Sequence, residues 1–380
     1  MNDFVVKQGI QLGGSVKGNT GTVTGNATLD LSTGDAFEVT PTADVTFAFS
    51  NPPAAGNAQA FSVALNGVFV DNPYDLANAS YDNVSFNVSA EETAPEGVFL
   101  KSDGTKMYVL GAGGLDVNEY NLSTAWDVST ASYLQSFSVA AEDTSPRDLF
   151  FKPDGTKMYF AGNTGDDVNE YSLSTAWDIS TASYVQNFSV AAQDTGPSGL
   201  FFKSDGTKMY VLSLSGLAVN EYALSAAWDI SSASYTHNFN VSAQESTPYG
   251  LSFKNDGTGM FVVGLSGDDV NEYSLSTAWD ISTASYVRNF SVAAQDNTPA
   301  ALFFKPDGTK MYMLGFSTKN VYQYSTGEYG LFTITYPASV AWSGGTAPAS
   351  PADGETDLLT FYTEDGGTTY YGFKVGDALA

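Results

Sequence analysis

A unit of 51 residues recurs five times in the middle of this 380-residue chain. Its aromatic, proline and Asp-Gly positions repeat almost without change: Phe86, Phe137, Phe188, Phe239 and Phe290; Pro95, Pro146, Pro197, Pro248 and Pro299; Asp103, Asp154, Asp205, Asp256 and Asp307. A period of this length is typical of propellers, solenoids and other stacked arrays. The repeat constrains the fold strongly, because each unit has to pack against its neighbours.

Each repeat has the pattern of four short strands. In the third copy, apolar or alternating runs span residues 199–203, 208–212, 218–224 and 235–241, and Asp205-Gly206 is a tight-turn signal between the first two. A helical repeat would need apolar residues spaced three and four positions apart, and this spacing does not continue through the unit. Four antiparallel strands in a unit of this length are typical of a propeller blade.

The two ends of the array are offset by one strand. A connector that contains Trp126, Trp177, Trp228 or Trp279 is missing after the fifth copy, and a matching piece, residues 74–81, stands before the first copy with Tyr74 in the Trp position. We therefore expect residues 74–88 to pair with the strand near 319–325. This closure removes exposed sheet edges, and it predicts an all-β, five-bladed propeller over residues 73–326.

The flanks, residues 1–72 and 327–380, are rich in Gly, Thr and Ala. Short strands are expected at residues 37–40, 45–49, 331–336, 358–362 and 370–373. Neither flank alone has enough strands for a stable core. We predict that the two halves together form a β-sandwich, with an N-terminal arm, into which the propeller is inserted.

The flanks also carry a family resemblance. Residues 27–34 with 45–53, residues 334–348 and residues 359–373 resemble a β-sandwich module of tailed-bacteriophage fibre and appendage proteins. In that family the two halves are joined by a short link, whereas here the propeller is inserted between them. This difference suggests that the module anchors the protein and that the propeller is the specialised domain it presents. Separately, residues 197–211 are similar to the blade motif of bacterial surface-layer propeller repeats.

The phage resemblance implies a virion location and a structural, non-enzymatic role. It favours a tail fibre or appendage whose propeller recognises a glycan or protein on the host surface. The alternative is a capsid decoration or head-fibre protein without a specific ligand. In either case the resemblance implies contacts with other virion proteins through the sandwich, and a homotrimer. A bacterial surface adhesin is less favoured, because residues 1–8 lack the pattern of an export signal.

Composition excludes several partner classes. The chain has 42 acidic and 15 basic residues, for a net charge of −27. Nine of the basic residues recur in the repeat scaffold: Lys101, Lys152, Lys203, Lys254, Lys305, Lys106, Lys157, Lys208 and Lys310. We therefore expect binding neither to nucleic acid nor to an anionic membrane. Cysteine is absent, which excludes disulfides and thiolate metal sites.

Two sets of positions differ among otherwise similar copies. The residue after the repeated proline is Glu96, Arg147, Ser198, Tyr249 or Ala300, and the loop between the second and third strands is also unequal. We interpret both segments as loops on one face, where binding residues concentrate over a rigid scaffold. The predicted ligand-binding set is Glu96, Arg147, Tyr249, Asp166, Asp167, Asp268, Asp269 and Lys319. Neutral drift in exposed loops remains the alternative.

An acidic residue stands before each repeated proline: Glu92, Asp143, Asp194, Glu245 and Asp296. A ring of carboxylates could hold Ca²⁺ through oxygen ligands. Alternatively, each carboxylate hydrogen-bonds its own turn. No other cofactor is expected.

Candidate catalytic groups are few. The single histidine, His237, replaces Gln186 or Arg288 of other copies, and we interpret it as a surface residue. A glycosidase needs two carboxylates in dissimilar environments, whereas repeats this alike offer Asp166, Asp167, Asp268 and Asp269 near-equivalent ones. The tryptophan series is interpreted as packing between blades rather than as a sugar-stacking platform. The sequence therefore predicts no enzyme.

Overall fold

The structure is a computed structural model. It describes residues 19–23, 27–41, 44–66, 69–71, 73–327, 329–331, 333–351 and 355–379. The expected N-terminal arm, residues 1–18, lies outside the described residues. The chain divides into two compact units, Met1–Asn72 with Glu328–Ala380, and Pro73–Gly327. Within the described residues, no helix has the length and apolar character needed to span a membrane.

The second unit consists of five four-stranded antiparallel sheets, which are the blades. The first strands are Pro95–Leu100, Pro146–Phe151, Pro197–Phe202, Pro248–Phe253 and Pro299–Phe304. The second strands are Lys106–Gly111, Lys157–Gly162, Lys208–Ser213, Gly259–Gly264 and Lys310–Gly315. The third strands are Asp116–Leu122, Asp167–Leu173, Ala218–Leu224, Asp269–Leu275 and Asn320–Ser325. The first strands contact one another in cyclic order, the fifth contacting the first, which confirms a closed five-bladed propeller.

The fourth strands are Ala131–Ser138, Ala182–Ser189, Ala233–Asn240 and Ala284–Ser291, and in the fifth blade Ser80–Asn87. In the first four blades a short 3-10 helix precedes this strand: Val128–Thr130, Ile179–Thr181, Ile230–Ser232 and Ile281–Thr283. An aspartate caps each of these helices by accepting a hydrogen bond from the backbone N–H two residues later.

The strand from before the first copy completes the last blade. Ser80–Asn87 pairs antiparallel with Asn320–Ser325. Asp82 on the closing strand accepts from Lys310 Nζ at 2.6 Å and from Ser325 Oγ at 2.7 Å. The predicted ring closure is confirmed.

The tryptophans are packed between neighbouring blades, as expected. The Trp228 ring lies 5.7 Å from Phe202 of its own blade and 6.4 Å from Tyr159 of the preceding one. Trp228 has a φ of 64°, and its N–H donates to Gly206 O at 3.0 Å. Gly206 itself has a φ of 73°, and a Cβ on it would come within 2.4 Å of the indole. The glycine of the Asp-Gly turn is therefore required both by its backbone conformation and by the ring above it.

Tyr74 occupies the fifth tryptophan position, with a φ of 65° and its ring 5.3 Å from Phe304. Its hydroxyl donates to Pro306 O at 2.9 Å and accepts from Asn255 N at 3.1 Å. Tyr74→Phe removes both hydrogen bonds of this buried side chain, so we expect it to cost about 1–3 kcal/mol in urea unfolding, at about 0.5–1.5 kcal/mol for each bond. Tyr133→Phe is the control, because Tyr133 is 46% exposed and should change stability little. Equal effects of the two substitutions would contradict this role of Tyr74.

Polar bridges also join adjacent blades. In the second blade, Lys157 Nζ donates to Glu170 Oε1 at 2.6 Å and to Trp228 O, in the third blade, at 2.7 Å. Gln186 Nε2 donates both to Glu170 and, across the junction, to Asp229, each at 3.0 Å. Glu170 is buried and is satisfied by these donors, as a buried carboxylate must be.

The first unit draws on both flanks. A six-stranded sheet has the order Asn19–Val23, Ala36–Pro41, Gln59–Asn66, Thr356–Thr363, Tyr370–Leu379, Val340–Trp342. A second sheet has the order Ala27–Asp30, Val45–Ser50, Ile334–Thr335, and Phe69–Asp71 pairs with Tyr329–Leu331. The strand expected over 331–336 is thus two short ones, and residue 332 lies outside the described residues.

One buried cluster joins the two larger sheets of the first unit. Phe47 of the three-stranded sheet lies in the same cluster as Phe61 and Phe361 of the six-stranded sheet. The rings of Phe61 and Phe361, contributed by different flanks, stack with centroids 5.1 Å apart. Two sheets that bury one core between them form the sandwich arrangement.

Candidate functional site

The acidic ring connects two loops within each blade. Asp143 accepts from Ser145 N at 2.6 Å in the loop before the first strand, and from Gly165 N at 2.8 Å in the loop between the second and third strands. Glu245 accepts from Thr247 N at 2.6 Å and Ser266 N at 3.1 Å in the same way. All five carboxylates are buried. These contacts favour the turn interpretation and place both loops on one face, termed here the Pro face.

The calcium interpretation of this ring finds no matching geometry. Across the part of the chain that the structure describes, one group of three or more His, Asp or Glu side chains has ligand atoms within 4.8 Å of one another, and it is Glu221, His237 and Asp280. Each carboxylate of the acidic ring instead accepts a hydrogen bond from a backbone N–H of its own blade. These carboxylates are Glu92, Asp143, Asp194, Glu245 and Asp296.

Two of the four predicted loop aspartates belong to strands. Asp167 begins a third strand, is buried, and accepts from Asn169 Nδ2 at 2.7 Å and Asn187 Nδ2 at 2.5 Å. Asp269 has the corresponding contacts with Asn271 and Asn289. Burial raises the pKa of both carboxyls. Their side chains are therefore occupied in structural hydrogen bonds.

The other loop residues lie where they were expected. Asp166, Asp268 and Lys319 have positive φ values of 48°, 49° and 57° in the loops between second and third strands, and they are half-buried. Lys319 Nζ donates to Ser317 O at 3.1 Å. These three residues therefore lie in loops of the Pro face.

The residues that follow the repeated prolines lie in the first strands, not in loops as the sequence interpretation placed them. Glu96, Arg147 and Tyr249 come from three different blades and meet at the Pro-face end of the propeller. Arg147 Nη1 donates to Glu96 Oε1 at 3.0 Å, and its guanidinium carbon lies 5.8 Å from the centre of the Tyr249 ring. Burial raises the pKa of Glu96, and Arg147 opposes that shift.

This cluster has unused binding capacity. Glu96 is 5% exposed, and its Oε2 has no hydrogen-bond partner among the described residues. Arg147 and Tyr249 are each half-buried, so part of each side chain faces solvent. The Arg147 guanidinium and the Tyr249 ring together can hydrogen-bond and stack on a polar ligand, and the buried Glu96 carboxylate holds the guanidinium in place. Ser198 and Ala300, at the other two positions, are buried.

A second feature lies on the axis and was missed in the sequence. Four phenylalanines on the first strands form a ring, with centroids 5.3 Å apart for Phe99 and Phe150, 5.2 Å for Phe150 and Phe201, and 5.0 Å for Phe99 and Phe303. Ser252 has the corresponding position in the fourth blade. The cavity beside this ring measures about 260 Å³, and its lining is predominantly apolar. In the sequence, the signal for this feature was the serine at position 252, where the other four copies have phenylalanine.

Asp148 is the acidic residue in the lining of this cavity, among the residues the structure describes. The matching positions hold glycine or alanine: Gly97, Gly199, Gly250 and Ala301. Asp148 Oδ1 accepts from Leu149 N and Oδ2 from Leu200 N, both at 2.9 Å. Burial raises its pKa to about 8. A perturbed carboxyl in a cavity is a general signal of function, but glycoside hydrolysis requires a second carboxyl, which the described lining does not supply.

His237 lies in the outermost strand of the third blade with its side chain 33% exposed, and it also faces two carboxylates. It replaces the bridging glutamine of the first two blades, and its Nε2 lies 3.3 Å from Glu221 Oε2 and 3.3 Å from Asp280 Oδ1 in the fourth blade. A hydroxyl nucleophile aligned with the imidazole would be needed for a Ser-His-Asp arrangement. The groups that face its Nε2 are instead two carboxylates.

No family model matches this chain, and no curated protein matches it in sequence. Among solved structures, a protein from Lactobacillus plantarum is 18% identical with a TM-score of 0.38, and the match covers 52% of this chain and 55% of that one. This chain therefore spans little more than half of that protein's length.

Two further similar structures cover more of the chain. The periplasmic gluconolactonase of Pseudomonas aeruginosa is 15% identical with a TM-score of 0.38, over 75% of this chain and 72% of that one. Hydrazine synthase of Kuenenia stuttgartiensis is 14% identical with a TM-score of 0.39, over 76% and 68%. Likenesses this distant concern the fold alone.

Proposed function

We propose that this protein is a non-enzymatic component of a bacteriophage virion, a tail fibre or appendage whose propeller binds a host-surface glycan through its Pro face. The observation that carries the recognition role is the meeting of Glu96, Arg147 and Tyr249 at one end of the propeller. These are positions at which the five copies differ, whereas the proline before each of them repeats.

The chemistry of the cluster suits a saccharide. An aromatic ring offers a face on which a sugar ring can stack, and an arginine, held here by the Glu96 carboxylate, hydrogen-bonds to hydroxyl groups. Lys319 adds a cation on the same face. The virion location rests on the resemblance of the flanks to phage fibre modules, which also implies that the sandwich holds other virion proteins and forms a homotrimer. Three linked heads would gain avidity from weak individual sites.

The carboxyls support a binding role over a catalytic one. Asp167 and Asp269 are occupied by asparagine amides, and Asp148 is the single acidic side chain among the described residues that line the axial cavity. The alternative within the same class is a capsid decoration protein without a ligand. In that alternative, the acidic surface, with a net charge of −27, serves to keep the protein and the particle soluble.

The test uses the fluorescently labelled full-length protein, a glycan array and host cells. The double substitution Glu96→Ser and Arg147→Ser removes both charges at once and introduces the residue that the third blade has at Ser198, so the fold should survive. Combined with Tyr249→Ala, it is expected to reduce glycan binding at least tenfold, since clustered contacts of this kind dominate affinity.

Lys101→Ser is the matched control, because it removes a cation at an Asp-Gly turn, which lies on the opposite face. It should leave binding unchanged. Binding that survives the triple substitution would contradict the Pro-face site. Adsorption to host cells without any glycan signal would indicate a protein receptor, and absence of adsorption would favour the decoration role.

A further inference from the structure

The junction between the third and fourth blades differs from the earlier junctions in one side chain. In the first blade, Gln135 Nε2 donates to Glu119 Oε2 and Asp178 Oδ1, each at 2.9 Å. The second blade repeats this bridge with Gln186. His237 takes the same place in the third blade, so an imidazole nitrogen lies between the two carboxylates where the first two blades have an amide donor.

The distances around this nitrogen match a metal coordination sphere. His237 Nε2 lies 3.3 Å from both Glu221 Oε2 and Asp280 Oδ1. Two ligand atoms of a tetrahedral zinc ion are separated by about 3.3–3.4 Å when each bond is about 2.0–2.1 Å. His237 Nε2 is buried and has no hydrogen-bond partner with good geometry among the described residues. The three ligand atoms lie within 4.8 Å of one another.

The two carboxylates are held in position by other groups. Glu221 is 2% exposed; Lys208 Nζ donates to its Oε1 at 2.7 Å, and the Ile281 N–H donates at 3.4 Å to its Oε2, the oxygen that faces the histidine. Ser282 donates to Asp280 Oδ1 through its N–H at 3.0 Å and its hydroxyl at 2.6 Å. These hydrogen bonds lower the pKa of Asp280. Outer contacts of this kind orient metal ligands, and the side chains of His237 and Asp280 are each 33% exposed, which gives an ion access.

We propose that Glu221, His237 and Asp280 form a binding site for Zn²⁺ or a similar divalent transition-metal ion, with the fourth position open to water. One imidazole and two carboxylates suit such ions, whereas Ca²⁺ and Mg²⁺ prefer oxygen ligands alone. Because Glu221 and His237 belong to the third blade and Asp280 to the fourth, the ion cross-links neighbouring blades. None of the three ligands belongs to the acidic ring on the Pro face.

The competing explanation is a protonated histidine that pairs with both carboxylates and binds no metal. His237→Gln separates the two, since it restores the bridge of the first two blades and should therefore keep the fold. The full-length protein, freed of metal with a chelator, is titrated with Zn²⁺ and with Co²⁺. We expect one Zn²⁺ per chain by calorimetry and visible absorption typical of tetrahedral Co²⁺ for the unsubstituted protein, and neither for His237→Gln.

Stability provides a second measurement. An ion present at 100 times its Kd should raise the Tm of the unsubstituted protein by about 5–10 °C, and should not change that of His237→Gln. Gln186→His recreates the trio at the preceding junction, with Glu170 and Asp229, and should raise the stoichiometry to two. Zinc binding that is absent from the unsubstituted protein, or equal in His237→Gln, would overturn the proposal.

Discussion

Removing the strand that closes the ring is expected to abolish cooperative folding of the propeller. A chain of residues 89–327 lacks Ser80–Asn87 and exposes the edge of Asn320–Ser325 along its length. Lys310 then loses Asp82, and Phe304 loses the Tyr74 ring. Exposed edges pair with other chains, so this segment should aggregate or unfold without a sharp transition.

Moving the same residues to the other end should restore folding. In residues 89–327 followed by 72–88, Tyr74 comes four positions after Thr326. In the second blade, Trp177 likewise comes four positions after Leu173. The permuted chain therefore has an ordinary connector in its fifth blade. Circular dichroism on heating and gel filtration should show a monomer with a single transition. If residues 89–327 alone fold with the same Tm, the closing strand does not stabilise the ring.

The architecture could be predicted because it is encoded five times. Strand bounds such as 208–212 and 218–224 were right to within a residue, since each copy confirms the pattern of the others. The offset between the two ends of the array was sufficient to place residues 74–88. Even the replacement of tryptophan by Tyr74 follows from its place in the connector, where the structure has the same positive φ.

The site could be predicted only in part, because it depends on how first strands meet at the axis. Proline cannot donate to a ladder and usually marks a loop or the start of a strand, so the residues after it were interpreted as loop. In the structure Pro146 pairs with Gly162, and the register then shifts before Leu149. That irregularity positions Arg147 and Asp148. The repeat pattern does not reveal that Arg147 contacts Glu96 of the first blade, or that Asp148 contacts the Leu200 N–H of the third.

Asp148 is expected to make the propeller less stable as the pH rises. Its pKa is near 4 in the unfolded chain and is raised to about 8 in the folded protein by burial. Between these values the folded state holds a proton that the unfolded state has released. Stability therefore falls with increasing pH across this window, by a total on the order of 3–5 kcal/mol, because each pH unit costs up to about 1.4 kcal/mol.

Asp148→Ala isolates this contribution, and it is compatible with the fold because the fifth blade has Ala301 at the same position. At pH 5 the substitution should be destabilising, since the buried Leu149 and Leu200 N–H groups lose their acceptor. At pH 9 the charged carboxylate in the original protein is buried among phenylalanines, so the variant should be more stable by a few kcal/mol. Urea unfolding of both proteins at pH 5, 7 and 9 measures the difference.

Comparison of the two proteins at each pH cancels the other titrations. Asp103, Asp154 and Asp205, whose pKa values the paired lysines and threonines lower to about 2, destabilise the fold only in acid, and they do so equally in both proteins. The difference in unfolding free energy should therefore change sign in favour of Asp148→Ala as the pH rises. If the difference in unfolding free energy is constant from pH 5 to 9, Asp148 stays ionised in the folded protein. The axial cavity would then be more polar than the four phenylalanines beside it indicate.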